Sequence, residues 1–406
     1  MPESSLSNEY DAHVVETFDS PHAEFARLRS ECPVAHSDQF DGFWLLTRYA
    51  DIVDVLNDSD NFITSVRNVV PGSSTTGRRP PLHLDPPAHT PYRKALERAL
   101  SRARITALEP AIRRHAAALI DAFVERGEGD FVEHVSSPLP ALVFGEWMGL
   151  TADQTATLWE VAQSYVKAWE AFDRESVIEA GDRLAAMAAE VIADRRANPR
   201  DPNVDPTSSL LASRNLDGSE FPEALLAGCV RQVLVVGLVA PPIVFGSIVV
   251  HLARHPELHT QLREDSSLIP YAIEEFFRLY TPYRGFARTS RTEVEIGGRT
   301  IHPGEPMALA YASANRDKSV FEDPDTFILK RPNIGDHIAF GRGPHRCVGM
   351  PVAKMEMTIA LETLLARTTR IDLIGPLKMS GMPEVGPVSV PVRVVSASAT
   401  PTQSPD

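Results

Sequence analysis

The segment VLVVGLVAPPIVFGSIVV, residues 233–250, carries no charged side chain and is long enough to cross a bilayer. A chain must either place such a segment in lipid or surround it with protein. It stands alone, without flanking aromatic anchors, in a chain that otherwise reads as soluble. A central helix buried on all sides in a large domain is therefore expected, with no membrane partner. Pro241 and Pro242 interrupt it at its middle. Neither can donate to the carbonyls of Gly237 and Leu238, and a proline in a helix interior costs roughly 3 kcal/mol if nothing compensates. The helix is expected to kink or bulge there.

The surrounding sequence supplies that burial mostly with helices. Helical periodicity runs through PAIRRHAAALIDAFVERG, TADQTATLWEVAQSYVKAW, EAGDRLAAMAAEVIADRR, the 221–255 region, SLIPYAIEEFFRLY and MPVAKMEMTIALETLLART. Thr151, followed by an acidic residue in the first turn, suits an N-cap. Strand signals are fewer. FWLLT near residue 43, a hairpin in TEVEIGGRTI around Gly297-Gly298, MALAYAS and VSVPVRVV read as short strands. The expected fold is mainly α with a smaller β portion. The 406 residues would permit two or three domains. No internal segment reads as a linker, so one unit over residues 1–395 is expected, with a small polar tail at 396–406 that suits disorder.

Composition narrows the function. A net charge of -14 argues against a nucleic-acid partner. Cys32, Cys229 and Cys347 are odd in number, far apart and without a CxxC pair, which argues against a disulfide framework or a cysteine-rich metal cluster. The N-terminal residues have neither a basic region nor an apolar stretch of signal type, so a cytoplasmic protein is expected.

The sharpest chemical signal is HIAFGRGPHRCVGMPVAKMEM. Gly341, Gly343 and Gly349 surround Cys347, and a helix is expected to begin just after it. Glycines permit close approach of backbone to a flat group. Exposed amides at a helix start stabilise a thiolate. Arg342, His345 and Arg346 flank the cysteine. A buried free cysteine in a turn is the alternative reading of the same residues.

FGRGPHRCVG resembles the heme-binding loop of the cytochrome P450 superfamily, with Phe340, Gly343, His345, Cys347 and Gly349 at the matching positions. Glu275 and Arg278 in EEFFR match that family's Glu-x-x-Arg motif. His89 and Arg93 in HTPYR match its His-x-x-x-Arg motif, and Arg288 in GFARTS falls where another propionate-binding arginine is placed. The resemblance covers essentially the whole chain and suits the soluble bacterial members. The wording RPPLHLDPPAHTPYR is similar to the thiocarbamate-degrading and reductase-fused lineage, here without a fused reductase. This resemblance implies a heme b cofactor whose iron takes Cys347 as axial thiolate, a ligand suited to oxygen activation. It implies that His89, Arg93, Arg288 and His345 pair the propionates, within a cofactor-binding set that also includes Phe340, Gly341, Gly343 and Gly349. Glu275 and Arg278 would form a structural ion pair on the proximal side.

By the same resemblance, the segment with the two prolines crosses the oxygen-binding face, and Gly237, Leu238, Ala240 and Pro241 belong to the catalytic region. The family usually carries an acid and a threonine where this chain has Ala240 and Pro241, and neither side chain here can relay a proton. Water on the carbonyls of Gly237 and Leu238, or a polar group of the substrate, would replace the relay; prolines that only shape the pocket are the simpler account. Three functions stay open: a monooxygenase, a peroxygenase driven by hydrogen peroxide, and a heme protein serving reduction, sensing or ligand binding. The monooxygenase is preferred because the remaining framework is complete. No flavin-type phosphate-binding loop is evident, so a ferredoxin and ferredoxin reductase are expected as electron partners, steered by Arg342 and Arg346 unless these are merely solvated. A monomer is expected. Leu238, Val239, Ala240, Pro241, Tyr283, Phe286 and the loop over residues 65–82 are the pocket candidates, suiting a small hydrophobic or aromatic, even herbicide-like, substrate. Arg67, Arg78, Arg79 and Arg284 offer guanidiniums for an anionic group, although exposure is the ordinary state of arginine.

Overall fold

The apolar segment folds as two helices. In the computed structural model, which describes residues 9–13, 17–72, 77–171 and 173–398, one helix spans Glu223–Val236 and the next Ala240–Arg254. Gly237–Val239 forms a tight turn between them, closed by the Leu238 N–H donating to the Val235 carbonyl at 3.0 Å. A Cβ on Gly237 would overlap the ring of Phe144, so only glycine fits the turn against that neighbour. The break expected from the prolines is present, but their cost is smaller than an interior position implies. Pro241 and Pro242 fall in the first turn of the second helix, where backbone N–H groups have no intrahelical acceptor to lose. The carbonyls of Gly237 and Leu238 face positions that have no N–H to offer them.

Burial of the segment is complete where it matters. Phe245, Ile248, Val249 and Val250 are fully enclosed. The second helix packs against the π-helical turn Val132–Ser136 and the strands Thr368–Leu373 and Pro387–Ser389. Taken together, Glu223–Arg254 is long and apolar enough to cross a membrane, but most of it is buried inside the protein, as a central core helix would be. Long helices surround it. Arg102–Arg126 packs on Met350–Arg367, and Arg174–Ala197 packs on both Ala152–Glu170 and Glu223–Val236. Thr151 caps its helix as expected, its hydroxyl accepting from the Gln154 N–H at 3.2 Å while the Gln154 side chain accepts from the Thr151 N–H at 3.0 Å.

The β portion lies to one side. A five-stranded sheet runs in the order Val34–Ser37, Phe43–Leu46, Pro306–Leu309, Phe286–Ser290, Phe62–Ile63, with only the second and third strands parallel. The hairpin at Gly297-Gly298 forms, both glycines adopting positive φ between Val294–Ile296 and Arg299–Ile301. VSVPVRVV forms two strands, Pro387–Ser389 and Pro391–Ser396. MALAYAS is a strand only in its first half. Ala310 N–H makes a last bond to Leu46 O at 3.0 Å where the neighbouring strand ends, and Tyr311–Ala314 turns helical. At the start of the expected tail, Ser396 still belongs to a strand and the Ala397 N–H bonds to Arg367 O at 2.9 Å; residues 399–406 lie outside the described part.

One core side chain is costly. Glu356, on the Met350–Arg367 helix, is buried with Oε1 unpartnered, and burial raises its pKa to about 8. The folded protein therefore keeps a proton that the unfolded chain releases near pH 4.3. Stability from this group falls as pH rises between those two values and stays low above the folded one. Glu356→Gln should stabilise the protein, and by chemical denaturation the gain at pH 8.5 should exceed that at pH 5.5 by about 3 kcal/mol. Equal gains at the two pH values would show that the carboxyl is not desolvated in this way.

Candidate functional site

The cysteine loop closes on itself before the Met350–Arg367 helix starts. Cys347 N–H donates to Phe340 O at 2.8 Å, and Gly341 and Gly343 take φ of +69° and +67°. At Gly343 a Cβ would also overlap the Leu56 carbonyl, so the glycine is required twice over. Phe340 packs edge-on against Phe277 with centroids 4.8 Å apart. Cys347 keeps accessible surface, yet burial is the first influence on its thiol and raises the pKa; the two agree if the sulfur opens onto an interior cleft. Opposing that rise are the amides of Gly349 and Met350 at the helix start and the charges of Arg93 and Arg346. The thiol thus sits where an electrophilic metal would convert it to thiolate with amide support already in place.

A cationic cradle lies beside it. His89 and His345 pack with their rings tilted and centroids 4.6 Å apart. Both ring nitrogens of His89 are buried and unpartnered among the described residues. Arg288 is buried in the sheet, its Nη1 donating only to Ala287 O at 2.8 Å. Burial lowers the pKa of each; Arg93 lowers His89 further, and Arg288 and His89 lower His345, which falls to about 3, while Asp85 acts in the opposite direction on all three. The two imidazoles are thus neutral at pH 7 beside a buried guanidinium, and together they offer donors that a dianion would engage. The residues fit a heme carrying two propionates beside a thiolate. Arg93 has further partners. It pairs with Glu97 at 2.7 Å and donates to the carbonyls of Pro344 and Arg346, tying the Thr90–Arg98 helix to the cysteine loop.

Beneath the loop lies an ion cluster with one more member than the sequence motif showed. Arg278 donates to both oxygens of Glu275 at 2.8 and 2.7 Å, and all these side chains are buried. Arg331 joins them at 3.1 Å. The two guanidiniums also hold the carbonyls of Asn315, Glu322, Asp323, Pro324 and Thr326. Arg331 stands in ILKRPN, an aperiodic stretch, and its one signal is an arginine close before the cysteine loop.

On the other side, a cavity of about 230 Å³ is walled by Leu238, Val239, Tyr283 and Phe286, as expected, with Asn68, Val69, Arg79 and Leu82 from the 65–82 loop. Ala240 and Pro241 are half-buried but outside that wall; Pro242 and Ile243 take the place assigned to them, because the turn rotates the helix start. Tyr283 packs against Phe286 with rings tilted and centroids 4.4 Å apart, and its pKa is raised by burial first and then by Glu384 and Cys347, so the phenol stays protonated. Arg284 is unavailable to the cavity, holding Glu384 O at 2.9 Å and the Tyr10 phenol at 3.0 Å.

The family profile described as Cytochrome P450 matches residues 143–369. Linalool 8-monooxygenase of Pseudomonas putida is 33% identical over 371 residues, covering 87% of this chain and 90% of that protein. Nocardicin C N-oxygenase of Nocardia uniformis is 30% identical, covering 95% and 94%. Among solved structures, cytochrome P450 CYP109Q5 of Chondromyces apiculatus superposes with a TM-score of 0.84 at 29% identity, over 96% of this chain and 99% of that one.

Removing the shared carboxylate tests the ion cluster. Glu275→Gln leaves Arg278 and Arg331 buried without a counter-ion and should cost about 3–5 kcal/mol in urea denaturation. A loss below about 1 kcal/mol would mean that the surrounding carbonyls suffice for both cations.

Proposed function

This chain belongs to the cytochrome P450 family and is a P450 monooxygenase, and on that premise we propose that it hydroxylates, or O- or S-dealkylates, a small hydrophobic or aromatic substrate with electrons from a ferredoxin and its reductase. The observation that carries the reading is the pairing of the Cys347 loop and its cationic cradle with a mostly apolar cavity walled by Leu238, Val239, Tyr283 and Phe286. Residues 1–395 act as one catalytic unit, in a cytoplasmic monomer. Heme b, when bound, supplies oxygen activation at an iron ligated by a thiolate. Cys347 holds the iron, with Gly341, Gly343 and Gly349 shaping its loop. Phe340 packs behind it, and His89, Arg93, Arg288 and His345 face the propionates.

The chain's other residues bind, exclude water and place protons. Leu238, Val239 and Phe286 desolvate the apolar body of the substrate. Ala240 and Pro241 hold no proton. The carbonyls of Gly237 and Leu238 accept a hydrogen bond from water or from the substrate, which keeps a donor near the turn. The protonated Tyr283 phenol is a second donor on the same wall. On the thiolate side, Arg346 is exposed, whereas Arg342 is held by the Tyr49 hydroxyl at 2.8 Å. Arg346 is thus the better steering charge for an acidic ferredoxin.

Turnover with different electron sources tests the proposal. The heme-loaded protein is given a simple alkoxyaromatic, and released formaldehyde is measured with NADH, ferredoxin and reductase, or with hydrogen peroxide alone. Product mainly in the partner-driven arm is expected. Product mainly with peroxide would replace this reading by the peroxygenase that the Ala240-Pro241 pair favours. Arg346→Glu should slow the partner-driven reaction about 3–10-fold at low salt, with a smaller effect at high salt and none on the peroxide reaction.

A further inference from the structure

One buried guanidinium lines the cavity and a second lies behind it, with Asp182 the carboxylate that acts on the latter. Arg79 and Arg231 are each 6% exposed, and neither makes an ion pair among the described residues. Arg195 pairs with Asp205, Arg278 and Arg331 with Glu275, and Arg316 with Asp325, while Arg284 and Arg288, also buried, bond to neutral partners. Among the described residues the Arg79 side chain meets His83, at 3.3 Å through Nη2, and its Nε has no partner there. Arg231 donates from Nε to Gly181 O at 3.0 Å, and its Nη1 is unpartnered. Next to it, Gln232 is 8% exposed with Oε1 unpartnered. Arg79 and Gln232 both line the cavity, and Arg231 lies near enough to Arg79 to be destabilised by its charge. His83 falls to about 4 through burial and then the charges of Arg79, Arg78 and Arg231, so it is neutral at pH 7 and adds no charge to theirs.

The arrangement is held by backbone. Gly228 lies one turn before Gln232, and any Cβ there would overlap the Arg78 carbonyl, so the Arg78-Arg79 backbone is pressed onto the Glu223–Val236 helix. Lys167 and Lys378 are further cations on the wall, and Glu384 is its carboxylate. Buried cations without a counter-ion are costly, and a ligand that brings the anion removes that cost.

Resting on the substrate cavity assigned above, we propose that the substrate carries a carboxylate, which sits on Arg79 and Gln232 with Arg231 behind them. Rotation of the Gln232 amide presents Nε2–H to one carboxylate oxygen while Arg79 Nε–H donates to the other. From Gln232 to Val236 is four residues, about 6 Å along the helix, and the Gly237–Val239 turn follows. The apolar body therefore reaches Val239 and Pro242, and the oxidised position is at the end remote from the carboxylate.

Calorimetric titration of the heme-loaded chain tests this with benzoate, phenylacetate and 3-phenylpropanoate, each beside its methyl ester. At least one acid should bind about tenfold or more tightly than its ester. Arg79→Gln should abolish that preference, leaving the ester within about twofold of wild type, and Arg79→Lys should restore part of it. Gln232→Leu should weaken the acid by about 3–10-fold and serves if Arg79→Gln does not fold. No preference for any acid at millimolar concentration, or equal losses for acid and ester in Arg79→Gln, would overturn the proposal. Preferential acid binding without product in either turnover arm would instead overturn the monooxygenase reading and leave the anion seat standing.

Discussion

The buried carboxylate of Glu275 organises the proximal half of the molecule. It is enclosed, and two guanidiniums converge on it from different parts of the chain. Through them it fixes the carbonyls of residues 315–326 to the Ile269–Leu279 helix, just ahead of the loop that presents Cys347. The strength of such a cluster comes from desolvation. Once these groups leave water, no weaker partner can replace any of them without a large penalty. The position of the sulfur is therefore inherited from an ion cluster that never touches it.

The cradle above the loop follows a different electrostatic rule. The Glu275 cluster is closed by its own counter-charge, whereas His89, His345 and Arg288 feel the Asp85 carboxylate without forming an ion pair among the described residues. Donors buried in this way are satisfied by an anion set between them. Arg79 and Arg231 repeat that logic at the cavity. A fold that satisfies Arg195, Arg278, Arg316 and Arg331 internally has no general difficulty in pairing its arginines. Of the buried arginines without an ion pair among the described residues, Arg79 lies on the cavity wall and Arg288 in the cradle, while Arg284 is taken up by Glu384 O and the Tyr10 phenol.

Local chemistry made much of this legible in the sequence. The cysteine loop declares itself through glycines at fixed spacing, and both Gly341 and Gly343 do adopt the left-handed conformation only glycine enters freely. The hairpin at Gly297-Gly298 and the Thr151 cap were readable for the same reason, since each is settled within a few residues. What was not legible depends on contacts between distant segments. Arg331 gained its role from Glu275, Arg284 lost one to Tyr10 and Glu384, and Arg79 differs from its exposed neighbour Arg78 only through where the Glu223–Val236 helix lies. The proline pair was recognised as a breaker, but whether it burdens a helix interior or opens a new helix depends on a turn held by Gly237 against Phe144. That contact joins residues 93 positions apart.

The divided helix also sets a polarity along the cavity. At the Gly237–Val239 turn the first helix ends in carbonyls carrying partial negative charge, and the second begins where partial positive charge would ordinarily answer it. Pro241 and Pro242 remove two of the amides that make up that positive end. The turn is left carbonyl-rich, attractive to hydrogen-bond donors and unfavourable to anions, while Arg79 lies toward the other end of the same wall. A molecule with one charged and one greasy end would enter this slot in a single orientation, aligned by the field before any side chain grips it.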